Sequence, residues 1–219
     1  MMKGLFIKDF GLMKGQKPFF AAVLLMTAMF MVVYESFSFV IPYITIMIGM
    51  LTLTTISYDD FENGLGYLFT LPVSRREYVG EKYLFSIVTT LPGLILVSAG
   101  SLVVSRIRGV DFTMEECVLS VISSFLMVTV MLSIFIPLQL KFGVDKSRVA
   151  MMMVFGGGAL ALYAGVKICD VLGINWMAAI DAAAKMEPAV VLTGIAVICA
   201  VVLVISYLFS LRFIEKREF

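Results

Sequence analysis

The ionisable residues that could do chemistry crowd into one stretch, Tyr58 to Lys82. Asp59, Asp60 and Glu62 stand at its start and Arg75, Arg76 and Glu77 near its end, with Phe61, Leu65 and Leu68 between them at helical spacing. Apolar knobs rimmed by charges of both signs suit a protein–protein contact, in which burial supplies affinity and charge sets register. Covalent and acid–base chemistry lack their groups. The chain has no His, so the usual proton shuttle and commonest metal ligand are missing, and no Ser has a His partner. Cys117, Cys169 and Cys199 are odd in number and far apart; they read as small buried apolar residues rather than a metal site or a bridge. No Gly-x-x-x-x-Gly-Lys-Ser/Thr occurs, and Gly11 to Lys17 is one residue too short for it, so ATP binding of the P-loop kind is excluded.

The composition says what surrounds that stretch. Of 219 residues 61% are hydrophobic and 15% charged, against about 45–50% and about 25% in soluble domains. A chain this small leaves roughly a third of its unfolded surface exposed after folding, so the excess apolar surface requires lipid as solvent. Disorder, a soluble enzyme core and a disulfide-stapled secreted domain are excluded by the same figures. A net charge of +1 provides no field to recruit nucleic acid.

Only helices or closed barrels satisfy their backbone groups in a bilayer, and a helix needs about 20 apolar residues to cross it. Strict two-residue alternation is absent, so helices are expected. Six stretches qualify: Pro18 to Tyr34, Phe39 to Ser57, Tyr83 to Val104, Val118 to Leu138, Val149 to Ile168 and Ala189 to Phe209. The expectation is therefore an all-α integral membrane protein of six spans, forming one transmembrane domain over residues 1–219. Thirteen of the seventeen Lys and Arg residues fall on one side of these spans, which puts both termini in the cytoplasm. The charged leader running to Lys17, and the lack of an Ala-x-Ala-like site after the first stretch, mark that stretch as a retained span rather than a signal peptide. Leu5 to Lys14 reads as an amphipathic helix in the interface, with Asp9 out of place in its apolar arc.

Within the Tyr58–Lys82 connection, Asp59 or Asp60 is placed to cap a short helix whose shared face carries Phe61, Leu65 and Leu68. Pro72 ends it, and Ser74 with Glu77 forms a capping box that starts the helix leading into the third span. Three roles fit the short helix: lying on the inner leaflet, docking a cytoplasmic partner, or forming a buried lid. The mixed-charge rim favours docking.

The acidic pair Asp59-Asp60, then Gly64, Leu71-Pro72-Val73-Ser74-Arg75, Tyr78-Val79 and Lys82-Tyr83, resembles the loop signature of ATP-binding-cassette type-2 exporter permeases. The branch it looks most similar to is the small bacterial permeases of phenol-soluble-modulin and antimicrobial-peptide exporters. The resemblance is specific over this loop and extends to the whole chain through the six-span layout. It implies a cytoplasmic-membrane permease with an elbow helix over residues 1–17 and a coupling helix between spans two and three. It implies Asp60, Phe61, Glu62, Leu65 and Leu68 as the face on a nucleotide-binding ATPase subunit, with Asp59, Arg75, Arg76 and Glu77 at its rim. A second permease copy would complete the pathway. ATP and Mg would be held by the ATPase subunit and no cofactor by this chain, which is then no enzyme itself. Amphipathic or antimicrobial-type peptides would be the cargo.

The remaining features are compatible with this reading. Gly157, Ala161 and Gly165 share one face of the fifth stretch, where close helix approach is possible, within the subunit or at a dimer seam. Pro42, Pro92 and Pro137 should kink their helices. Asn175 to Pro188 reads as a short outer helix anchored by Trp176. The charge-free interiors of the spans argue against an ion-coupled carrier. A membrane scaffold or sensor that recruits a partner without transport, and export of lipids or small molecules by the same architecture, are the alternatives.

Overall fold

The computed structural model describes residues 2–34, 37–61, 64–171 and 188–217. They form α1 (Met2–Gly15), α2 (Lys17–Val33), α3 (Phe37–Asp60), α4 (Gly64–Leu68), α5 (Arg75–Arg108), α6 (Met114–Val171) and α7 (Pro188–Lys216). Among the described residues there is no strand. Five helical segments are long and apolar enough to cross a bilayer: α3, α5, the two arms of α6 (Met114–Val144 and Val149–Cys169) and Val190–Lys216 of α7. The number is six if α1 and α2, bent by 66° at their junction, form one broken span. The outer helix expected from Asn175 onward falls, up to Glu187, outside the described residues.

Helix α3 is the centre of the bundle. Of its most apolar window 56% is buried inside the protein, against 6% in the second arm of α6 and 11% in α7. Two apolar cores form at its two ends. One gathers Leu53 and Ile56 of α3 with Leu65, Tyr78, Leu132 and Ile214. The other gathers Phe37, Ile41 and Ile44 with Met31, Leu94 and Val97.

Many polar side chains in the spans bond to their own helix, as a medium without water favours. Thr45 donates to the Ile41 carbonyl at 2.6 Å, Thr129 to Phe125 at 2.7 Å and Ser133 to Thr129 at 2.8 Å. Others tie helices together. Gln139 of α6 donates to the Leu53 carbonyl at 2.9 Å, and Tyr83 of α5 pairs with Ser210 of α7 at 2.9 Å.

The chain stays helical through Pro42, Pro92 and Pro137. The backbone of α6 leaves helical geometry at Gly143 (φ 73°, ψ 178°). This is a region of backbone space that is essentially open only to glycine, so a single residue achieves what the sequence reading assigned to a longer connection.

Candidate functional site

The functional stretch is built at the lysine-rich end of the bundle, where α1, α4 and the start of α5 meet the last turn of α3. Ser74 begins α5 with the expected capping box: its side chain accepts from the Glu77 backbone N–H, and the Glu77 carboxylate accepts from Ser74 N–H at 3.1 Å. The expected role of the acidic pair is corrected. Asp59 and Asp60 close α3 rather than cap the next helix, and they satisfy their charge through distant cations instead of a helix N-terminus. Helix α4 begins only at Gly64. A Cβ there would lie 2.7 Å from the Asp59 carbonyl oxygen, so the tight passage from α3 to α4 requires glycine. Glu62 lies outside the described residues.

Adjacent in sequence, Asp59 and Asp60 face different elements. Asp59 turns inward, bound by Lys8 of α1, by Lys82 of α5 at 2.7 Å and by the Tyr78 hydroxyl at 3.1 Å. Lys82 in turn binds Asp9 and Thr55, the latter at 3.2 Å, and lies over the Tyr78 ring. Lys8 also reaches Asp9 at 2.7 Å. Asp60 instead accepts from Arg217 at 2.6 Å and from the Val144 backbone N–H at 3.0 Å, fastening the end of the chain and the α6 break to α3. The inward part of this network is two ammoniums, Lys82 buried and Lys8 half-buried, and three buried carboxylates. The third is Glu81, wholly buried, 3.7 Å from Lys82 and without a hydrogen-bond partner for either oxygen.

Sequence reasoning missed Lys8, Asp9, Glu81 and Lys82 as members of a site. The trace they left was Asp9 inside an apolar arc, a position that a carboxylate occupies only with a partner.

The residues read as docking groups divide into two sets. Leu65 is 0% exposed and Leu68 9%; they are packed into the core and hold α4 down. Phe61 is 68% exposed, and Tyr67 and Leu71, which the sequence reading did not single out, are 73% and 47% exposed. These three are the exposed large apolar residues among those described between α3 and α5. Arg75 is committed to the C-terminal end of α7, donating to the Ile214 carbonyl at 2.9 Å and also to that of Glu215, where a cation satisfies the orphan carbonyls of a helix end. Arg76 points outward, 3.8 Å from Glu215. The exposed apolar residues of the loop thus lie between helix ends that charged side chains join to α1, α5, α6 and α7.

Gly157, Ala161 and Gly165 lie together on the second arm of α6. A Cβ at Gly157 or Gly165 would meet no described atom within 4 Å, so the described residues do not fill this small-residue face.

A family model described as "ABC-2 family transporter protein" matches residues 4–215. No curated protein and no solved structure matches the chain.

Proposed function

Because the chain belongs to the ABC-2 family transporter proteins, we propose that it is the permease subunit of an exporter powered by separate ATP-binding subunits. ABC-2 permeases are membrane transport components that work with an ATP-binding subunit. The finer reading assigns α1 as the elbow helix and α4 with its flanking turns as the coupling element. Two permease copies form the pathway, ATP and Mg sit in the partner, and both termini face the cytoplasm of a bacterial cell. The cargo is an amphipathic or antimicrobial-type peptide.

One observation carries this reading. Tyr67 on α4, with Phe61 before it and Leu71 after it, is exposed, while the inner face of α4 is buried through Leu65 and Leu68. A partner closing against the patch would push on a base tied through Asp59 to α1 and α5, and through Asp60 to α6 and the chain end. Such a contact moves spans because packed elements shift as units. The face of Gly157, Ala161 and Gly165, unfilled by the described residues, would suit the second copy.

The test is co-purification with the ATP-binding subunit. Phe61→Asp with Tyr67→Asp should abolish the complex and its ATPase stimulation while leaving the permease folded. Undiminished complex would overturn the docking assignment. ATPase rate of the reconstituted complex against a panel of amphipathic peptides and lipids tests the cargo; stimulation by lipids alone would replace the peptide reading.

A further inference from the structure

A second feature has no part in docking. Between α2, α3 and α5 lies a cavity of about 570 Å³, within the range of about 300–1,000 Å³ typical of ligand sites. Its wall runs from Met13 and Phe20 at one end to Met31 and Gly100 at the other, through Leu24, Ala28 and Ile48 among others. The hydroxyls of Thr27 and Thr89 are spent on their own helices, donating to the Val23 carbonyl at 2.6 Å and the Phe85 carbonyl at 2.8 Å. The lining therefore offers an occupant apolar contact and little else.

The ends of α2 differ. At one, Arg108 of α5 donates to the Met31 carbonyl at 2.7 Å and the Tyr34 carbonyl at 2.8 Å, and Phe30 packs on Tyr43 with ring centroids 4.9 Å apart. At the other the chain bends by 66° into α1. There Gln16 makes no side-chain cap, Pro18 has no N–H, the Phe20 N–H donates to the Gln16 carbonyl at 3.2 Å, and Lys14 and Lys17 are exposed beside Met13 and Phe20. From Phe20 to Met31 the groove extends along about 16 Å of helix rise, the depth of one leaflet of a hydrocarbon core about 30 Å thick. It is thus an apolar slot about as long as one leaflet is thick, clasped by Arg108 at the far end of α2 and opening beside two cations.

We propose that this slot binds an anionic phospholipid of the leaflet on the lysine-rich side. One acyl chain fills the groove between α2 and α5, and the phosphate sits on Lys14 and Lys17. The site requires only that the helices lie in a membrane and is independent of the docking assignment.

Native mass spectrometry of the full chain in detergent, with phosphatidylglycerol or phosphatidylcholine added, tests it. The wild type should retain phosphatidylglycerol about thirtyfold better than phosphatidylcholine, with two lysines acting on the phosphate. Lys14→Gln with Lys17→Gln should erase that preference. Ala28→Trp, which fills the slot, should abolish retention of both lipids, whereas Leu25→Trp, on the same helix but outside the cavity, should not. Excess glycerol phosphate should not displace the lipid, since the chain provides most of the contact. In the wild type, phosphatidylglycerol with a photoactivatable group on its acyl chain should label α2 and α5 at residues facing the slot. Equal retention by Ala28→Trp and Leu25→Trp, or labelling spread evenly over the lipid-facing helices, would reduce the slot to ordinary annular contact and overturn the proposal.

Discussion

Lys82 on α5 sets its ammonium against the carboxylate of Asp9 on α1, and both side chains are fully shielded from solvent. Two ions withdrawn from water are tolerated only where geometry and further partners offset the desolvation. Here Asp59 at 2.7 Å and Thr55 at 3.2 Å supply them. Lys82→Met leaves Asp9 and Asp59 buried with Lys8 alone between them. It should destabilise the protein by about 3–5 kcal/mol, read as a shift in the unfolding curve of the detergent-solubilised chain. The double variant Lys82→Met with Asp9→Asn should lose less than the two single losses combined, because each removes the other's unpaired charge. Strict additivity would show that the two groups do not interact.

Much of the fold was legible before any coordinates. The apolar stretches are long enough to announce themselves, and the capping box of Ser74 and Glu77 is a local pattern of three residues' reach. The acidic pair was misread because its partners are remote: Lys8 is 51 residues from Asp59, and Arg217 is 157 from Asp60. Spacing along one helix cannot show pairing over such distances. Leu65 and Leu68 were rightly placed on one face, but periodicity says which residues share a face and not whether that face meets a partner or the core. The break between Leu138 and Val149 was legible from the charges that interrupt the apolar run, but its narrowing to one non-helical residue, Gly143, was not, since composition shows that spans are separate and not how few residues separate them.

Glu81 is the charge that the network does not match. It is fully buried, neither oxygen has a hydrogen-bond partner, and the nearest cation, Lys82, is engaged by Asp9 and Asp59. An apolar side chain of similar size removes the desolvation cost and leaves two carboxylates facing two ammoniums. Glu81→Leu should therefore raise stability by about 1–3 kcal/mol, measured by the same unfolding curve. A loss of that size would mean the carboxylate has a stabilising partner, such as a bound cation.

The two halves of the loop should separate in mutagenesis. Leu65 has no exposed surface and sits in the core between α4 and its neighbours, so Leu65→Ala should cost about 2–5 kcal/mol. Phe61, 68% exposed, makes no such contribution, and Phe61→Ala should change stability by no more than about 0.5 kcal/mol. Thermal unfolding checks both. If Phe61→Ala were as damaging as Leu65→Ala, the outward patch would be part of the fold rather than a surface open to a partner.

Gly109 and Gly143 form a matched pair in which backbone and space can be told apart. Both have positive φ, 66° and 73°. Gly109 ends α5 in the left-handed region (ψ 26°), and a Cβ there would meet nothing within 4 Å. Gly109→Ala should thus cost only the left-handed penalty, about 1 kcal/mol, and Gly109→Asn less, since asparagine tolerates that position. Gly143 has ψ 178°, outside the left-handed well, and a Cβ would lie 2.8 Å from an Asp60 carboxylate oxygen and 3.2 Å from the Arg217 guanidinium. Neither neighbour can retreat without loosening the ion pair that fastens the end of the chain to α3. Gly143→Ala should therefore cost about 3 kcal/mol or more, from backbone strain together with the weakened pair, and asparagine should not rescue it. Unfolding curves for the four substitutions decide the matter: equal losses at the two glycines would mean that the contact with Asp60 and Arg217 adds nothing to the requirement for glycine.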